Sequence, residues 1–367
     1  MSTPLQQLAD YGQSPWIDYI ERHSVRNGDL KDLIGRGIVG LTSNPTIFQH
    51  AIAKGTAYDD QLREVIQHED DPKEVFLALA KDDIREACDL LRPVYDRGGS
   101  TRDGWVSLEV DPSLAADAGA TAHEAKRLHG LIERPNLFVK IPGTKPGLDA
   151  IEETIVAGIP VNVTLLFSLE RHREAAEAYL RGLRRLRDGG GDLSTVGSVA
   201  SFFVSRVDTE ADKRLDAIGG HDELKGTLAI ANAKLAYQTY KELFSGSEWE
   251  ELKAAGASAQ RCLWASTSTK NPAYSDVLYV DELIGQDTVN TMPPVTVEAF
   301  EDHGKAEATL EQGLDEAHRT FEAFASAGVD YDDVVDLLER QGVEKFSDSF
   351  KELLEGVAAK RDQLVAA

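Results

Sequence analysis

Lys140 carries the most pointed chemical signal in the chain. It follows Leu137-Phe138-Val139 and precedes Ile141-Pro142-Gly143, so a cation sits inside an apolar run of strand length. Lysine is seldom buried, and burial disfavours an ammonium relative to the neutral amine. A neutral amine in a dry site is what a Schiff-base nucleophile needs to attack a carbonyl. The competing reading is a structural lysine, paired with a carboxylate or snorkelling at a rim. Two carboxylates occur in similar runs: Asp18 in Trp16-Ile17-Asp18-Tyr19-Ile20, and Glu109 in Val106-Ser107-Leu108-Glu109-Val110. Converging on one lysine, they could serve as general bases or proton relays. Simple pairing with the lysine is the alternative for both, and a turn or cap for Asp18. Asp111 shares a face with Glu109 but is followed by Pro112, which favours a turn.

Further polar residues stand at the ends of apolar runs, where a polar side chain is costly unless paired. Asn44 precedes Pro45, which pushes it to extended geometry; an Asx turn opening the next helix is the simpler reading. Asn162 and Thr164 alternate with Val161 and Val163, so they share a face and could hydrogen-bond a polyol or a water, or merely fill an interior. Ser201 and Ser266 lie in two later runs. Arg206 and Lys270 follow late runs and are candidate anion binders, with a surface ion pair as the commoner fate. His50, His123, His129, His172, His221 and His303 show no ligand spacing. Neither GxSxG nor HExxH occurs, which disfavours a hydrolase triad or a metallohydrolase.

These residues need elements to aim them. Eight apolar runs read as strands: Trp16–Ile20, Ile38–Thr42, Trp105–Val110, Asn136–Ile141, Pro160–Phe167, Ser198–Val204, Arg261–Ser266 and Thr288–Met292. Helical periodicity separates them. Asp71-Pro72-Lys73-Glu74 supplies a start signal, with Pro93 expected to close that helix. Thr121-Ala-His-Glu124 reads as a capping box, and Ser168 as the cap of a helix that stops at Gly189-Gly190-Gly191. Strand–helix alternation argues for a parallel sheet, and eight units argue for a (β/α)8 TIM barrel with additional helices. A doubly wound sheet would want a glycine-rich phosphate loop, and neither GxGxxG nor GxxxxGK[ST] occurs. The chain, residues 1–367, is thus expected to be one barrel domain. Its strands fall between about 15 and 292, with a helical C-terminal extension from about 296 to 367 packed on it.

Composition narrows the function classes. Sixty-three acidic against 39 basic residues give a net charge of −24. Such a surface repels phosphate backbones and anionic lipid, so neither nucleic acid nor a membrane surface is an expected partner. Two cysteines, Cys88 and Cys262, make no disulfide framework or zinc cluster and suggest a reducing compartment. Residues 1–18 lack a basic segment followed by an apolar one, so no signal peptide is read, and a cytoplasmic location is expected.

Longer segments carry a resemblance. Gly40-Leu-Thr-Ser-Asn-Pro-Thr-Ile-Phe48, Asn136-Leu-Phe-Val-Lys-Ile-Pro-Gly-Thr144, Val161-Asn-Val-Thr-Leu-Leu-Phe-Ser168, Ser201-Phe-Phe-Val-Ser-Arg206 and Trp264-Ala-Ser-Thr267 resemble, in order, signatures of the transaldolase family. The resemblance implies a (β/α)8 barrel that transfers a dihydroxyacetone unit between sugar phosphates in the pentose phosphate pathway. It needs no metal or organic cofactor, and a homodimer is admitted by family likeness alone. It implies that Lys140 forms the imine, that Asp18 takes the C4 hydroxyl proton, and that Glu109 works with a water held by Thr164. Asn44 and Asn162 would bind the dihydroxyacetone moiety with Ser201 beside them, and Arg206 and Ser266 the phosphate. Related fructose 6-phosphate aldolases carry glutamine at the Glu109 position and tyrosine at the Phe203 position, so this chain has the transferase pair. It departs from the family pattern at Ser268, where an arginine is usual; Lys270 is the nearest basic residue. The alternatives are an aldolase that releases free dihydroxyacetone and a non-catalytic barrel that only binds.

Overall fold

The structure is a computed structural model that describes residues 2–54, 56–97 and 101–366. Met1 and Ala367, the ends of the expected domain, lie outside the described residues. Eight parallel strands close into a barrel in sequence order: β1 (Gln13–Asp18), β2 (Gly40–Thr42), β3 (Trp105–Glu109), β4 (Leu137–Pro142), β5 (Val161–Leu166), β6 (Ser198–Phe203), β7 (Arg261–Ala265) and β8 (Thr288–Met292). β1 pairs with β8 as well as with β2, which completes the ring. The (β/α)8 expectation is met. Among the described residues no helix is long and apolar enough to cross a membrane.

Alternation along the strands decides what faces inward. Trp16 on β1 and Phe138 on β4 are not on neighbouring strands, yet their ring centroids are 6.1 Å apart. They therefore meet across the barrel interior. Phe138 also stacks on Trp105 of β3 at 4.0 Å. These aromatic rings fill the lower barrel. Two residues further along the same strands come Asp18, Lys140 and Ser107, and then Glu109, so the period-2 rule lifts the polar set to the C-terminal face. Room for the aromatic layer comes from Gly40: a Cβ there would lie 2.4 Å from the Trp16 ring.

Element ends differ from the sequence expectations in instructive ways. β1 starts at Gln13, three residues before the apolar run, because Gln13 is anchored inside by hydrogen bonds to Leu283 O at 2.7 Å and Thr288 Oγ1 at 3.0 Å. Pro93 does not close its helix, which runs from Pro72 to Arg97. A proline so near the end removes one backbone donor, and a single further turn is tolerated. Thr121 is not a cap. That helix starts at Ala118, capped by Asp117 accepting from Ala120 N, while Thr121 Oγ1 donates to Leu114 O at 2.8 Å. Ser168 does cap Leu169–Asp188, accepting from Arg171 N. Asp111 takes the expected turn role and accepts from Ser113 N.

The last helix, Tyr331–Ala366, is the longest described. Phe346, Phe350, Leu353 and Val357 are buried along one face of it, at helical spacing. It packs on the helices Pro45–Lys54 and Pro72–Arg97 and on the end of β5. A Cβ on its Gly342 would lie 3.0 Å from Leu165 Cδ2, so the helix backbone comes close to the barrel mouth.

Candidate active site

Lys140, in the middle of β4, stands beside Glu109 of β3 in the ladder register, with Asn162 of β5 on its other flank. Its ammonium lies 3.3 Å from Glu109 Oε2, and the two side chains are 6% and 3% exposed. This is an ion-pair distance without an aligned hydrogen bond, since neither Glu109 oxygen has a hydrogen-bond partner among the described residues. Lys140 Nζ instead donates to Ser43 O at 3.0 Å. Burial pushes the Glu109 carboxyl up to about 6; the Lys140 charge opposes the rise and the Asp18 charge adds to it. Thr164 Oγ1 is a further buried, unpartnered atom. Such groups cost about 1–3 kcal/mol each when left unsatisfied.

Asp18 ends β1. Its Oδ1 accepts from Thr42 Oγ1 at 2.7 Å, and Thr42 Oγ1 is also 2.7 Å from Thr291 Oγ1. Burial raises the Asp18 carboxyl above the usual carboxylate range; Lys140, the Thr42 hydrogen bond and Arg206 oppose that rise. A carboxylate so placed is a better base than one in water.

One cavity of about 280 Å3 gathers most of the sequence candidates. Asp18, Asn44, Lys140, Thr164, Ser201, Phe203, Arg206, Ser266 and Lys270 all line it. Glu109 and Asn162 do not; they stand behind its wall. Asn162 donates to Ser107 Oγ at 3.1 Å and accepts from Ser201 Oγ at 2.7 Å, so it positions Ser201 and packs the interior. Asn44 takes the turn role, its Oδ1 accepting from Ile47 N at 3.0 Å, and it also borders the cavity.

Positive charge collects on one side. Arg206 lies in the first turn of the helix Ser205–Ile218, its guanidinium 4.9 Å from the centroid of the Phe203 ring, which holds it in place. Phe203 in turn packs on Phe167 at 5.2 Å. Ser266 has φ +57, a left-handed conformation strained for serine, and its Oγ lies 2.9 Å from Ser205 Oγ. Leu165, just past Thr164, has φ +60 where the β5–β6 register shifts. Both irregularities stand at the barrel's C-terminal face, beside the cavity.

Sequence reading missed several wall residues. Thr42 and Thr291 were hidden inside strands, and His50, read as uninformative, also borders the cavity. Lys345 and Phe346 arrive from the C-terminal helix. Phe346 is 5% exposed, and its ring centroid lies 5.8 Å from Lys140 Nζ. Helical spacing could have placed Phe346 on a buried face, but nothing in the sequence says which surface that face covers.

Comparison with known proteins agrees with this geometry. Residues 15–357 match the family described as transaldolase/fructose-6-phosphate aldolase. A transaldolase of Frankia alni is 50% identical over 98% of this chain and 97% of its own length. A transaldolase of Thermobifida fusca is 50% identical over 98% of both chains. The protein called transaldolase 2 of Streptomyces coelicolor is 48% identical over 99% of both. With the match running across nearly the whole chain, this protein belongs to the transaldolase/fructose-6-phosphate aldolase family.

Proposed function

We propose that this chain is a transaldolase that moves a dihydroxyacetone unit from a ketose phosphate to an aldose phosphate. Sedoheptulose 7-phosphate or fructose 6-phosphate is the donor; glyceraldehyde 3-phosphate or erythrose 4-phosphate is the acceptor. The observation that carries this reading is a buried amine, Lys140, with a carboxylate 3.3 Å away, in a cavity whose other side is cationic.

Lys140 Nζ gives one proton to Glu109, 3.3 Å away, and attacks the ketose C2 carbonyl; a second proton passes from Nζ to the oxygen to give a carbinolamine, whose hydroxyl then takes the proton back from Glu109. Loss of water leaves a protonated imine. Glu109, held near 6 by its dry setting, can give and take protons close to neutrality. With a water bound at Thr164 Oγ1 it serves these steps. Asp18 accepts the C4 hydroxyl proton, the C3–C4 bond breaks, and its electron pair flows into the imine to form an enamine as the aldose leaves. An acceptor aldehyde then reacts with the enamine carbon. Asp18 returns its proton to the new alkoxide, and water hydrolyses the new imine. Asn44 and Ser201, the latter oriented by Asn162, bind the dihydroxyacetone hydroxyls. Arg206, Ser266 and Lys270 bind the phosphate.

The test is product identity. Incubation with fructose 6-phosphate and erythrose 4-phosphate is expected to yield sedoheptulose 7-phosphate and glyceraldehyde 3-phosphate. Donor alone is expected to release little free dihydroxyacetone. Rapid release of dihydroxyacetone without an acceptor would make the protein an aldolase instead, and no turnover of either kind would leave it a binding barrel.

A further inference from the structure

Three cations, Arg206, Lys270 and Lys345, border the same cavity. None of them forms an ion pair with a described residue, although the chain carries 63 acidic residues against 39 basic ones. Their neighbours show that pairing is the local habit: Lys213 and Arg214 both bind Glu210, at 3.2 and 3.0 Å. Lys270 and Lys345 are exposed and Arg206 is half-buried, so water screens part of their mutual repulsion, and an anion lying between them would relieve the rest. The repulsion registers at Lys270, whose ammonium is disfavoured by burial first, then by Arg206 and Lys345. A second cavity, of about 530 Å3, opens from the same cluster and shares Arg206, Ser266, Lys270 and Lys345 with the first. The cations thus stand where the two cavities meet, with Lys140 deep in the first.

Lys345 is the unexpected member. It comes from the helix Tyr331–Ala366, beyond the last barrel strand, and the next residue, Phe346, seats that helix over Lys140. We infer that Lys345 is a phosphate-binding residue that brings a third positive charge, from the C-terminal helix, to the junction of the two cavities. The helix therefore sets the preference for phosphorylated over unphosphorylated sugars. The inference rests on the sugar-phosphate reading for its substrate, but the anion site can be measured without turnover.

The experiment compares Lys345→Gln and Lys345→Arg with the unaltered protein. Inorganic phosphate is titrated by calorimetry, and kcat and KM are measured with fructose 6-phosphate and with fructose. In Lys345→Gln the Kd for phosphate and the KM for fructose 6-phosphate are expected to rise roughly fivefold, the range for a charge-assisted contact at an exposed lysine. The preference for fructose 6-phosphate over fructose, as a ratio of kcat/KM, falls by the same factor, and Lys345→Arg restores it. A purely structural lysine would instead lower kcat and melting temperature and spare the Kd. Unchanged phosphate Kd and unchanged KM in Lys345→Gln would overturn the inference while leaving transaldolase chemistry intact. Phosphate binding that depends on Lys345, in a protein that turns over no sugar phosphate, would uphold the anion site and sink the proposed reaction.

Discussion

Replacing Glu109 by glutamine separates function from stability in a calculable way. The side chain is 3% exposed, and burial lifts its carboxyl from an ordinary 4.5 to about 6. A carboxylate with a raised folded-state value binds protons more tightly folded than unfolded. Its contribution to stability is therefore present below about pH 4.5, declines as pH rises to about 6, and stays lost above that. The difference corresponds to roughly 2 kcal/mol. Glutamine has nearly the same shape and no charge, so Glu109→Gln recovers that energy at pH 8 and changes little at pH 4.5. For a chain of 367 residues, unfolding entropy of about 2 cal/mol/K per residue converts it to a gain of about 2–3 °C in Tm. Activity moves the other way, with kcat down by roughly 10²–10⁴ as a proton-transfer group is lost. Thermal melts of both proteins from pH 4.5 to 8, beside kcat, check the pair of effects. A variant equal to or less stable than the parent at pH 8 would refute the electrostatic reasoning. Full activity would remove Glu109 from the chemistry.

Substitutions at three other positions probe the scaffold around the site. At Ser266, φ +57 makes glycine a better replacement than alanine: Ser266→Gly is expected to be about 1 kcal/mol more stable than Ser266→Ala in denaturant unfolding, against the usual order, and both raise KM for fructose 6-phosphate. Gly40→Ala drives a methyl into the Trp16 ring at 2.4 Å and is expected to cost about 1–3 kcal/mol, with a fall in kcat because Asp18 lies two residues beyond Trp16 on β1. Lys270→Ala is expected to raise KM for phosphorylated sugars more than it lowers kcat; an unchanged KM would reduce Lys270 to a surface charge.

The barrel was legible because each strand is an apolar run with a turn at its end, and the two periods of strand and helix are hard to confuse over eight repeats. What failed locally was backbone chemistry that apolar pattern does not encode. Gln13 and Ser14 extend β1 through buried hydrogen bonds, Asp117 rather than Thr121 caps its helix, and Pro93 sits too near a helix end to stop it. The polar residues inside strands were legible for the converse reason. A lysine or carboxylate in an apolar strand demands a partner, and Lys140 and Glu109 are each other's. Lys345 and Phe346 were not legible as site residues. On sequence alone one is an exposed helix charge and the other part of an amphipathic stripe, and only the docking of the last helix brings them to Lys140.

The central claim is that Lys140 forms a covalent imine with a ketose phosphate, and borohydride reduction tests it most directly. The protein is incubated with fructose 6-phosphate, reduced, digested, and its peptides weighed by mass spectrometry. A reduced adduct is expected on the peptide containing Lys140 and on no other, and its formation is expected to stop turnover. No adduct, or one on a different lysine with Lys140 unmodified, would contradict the account.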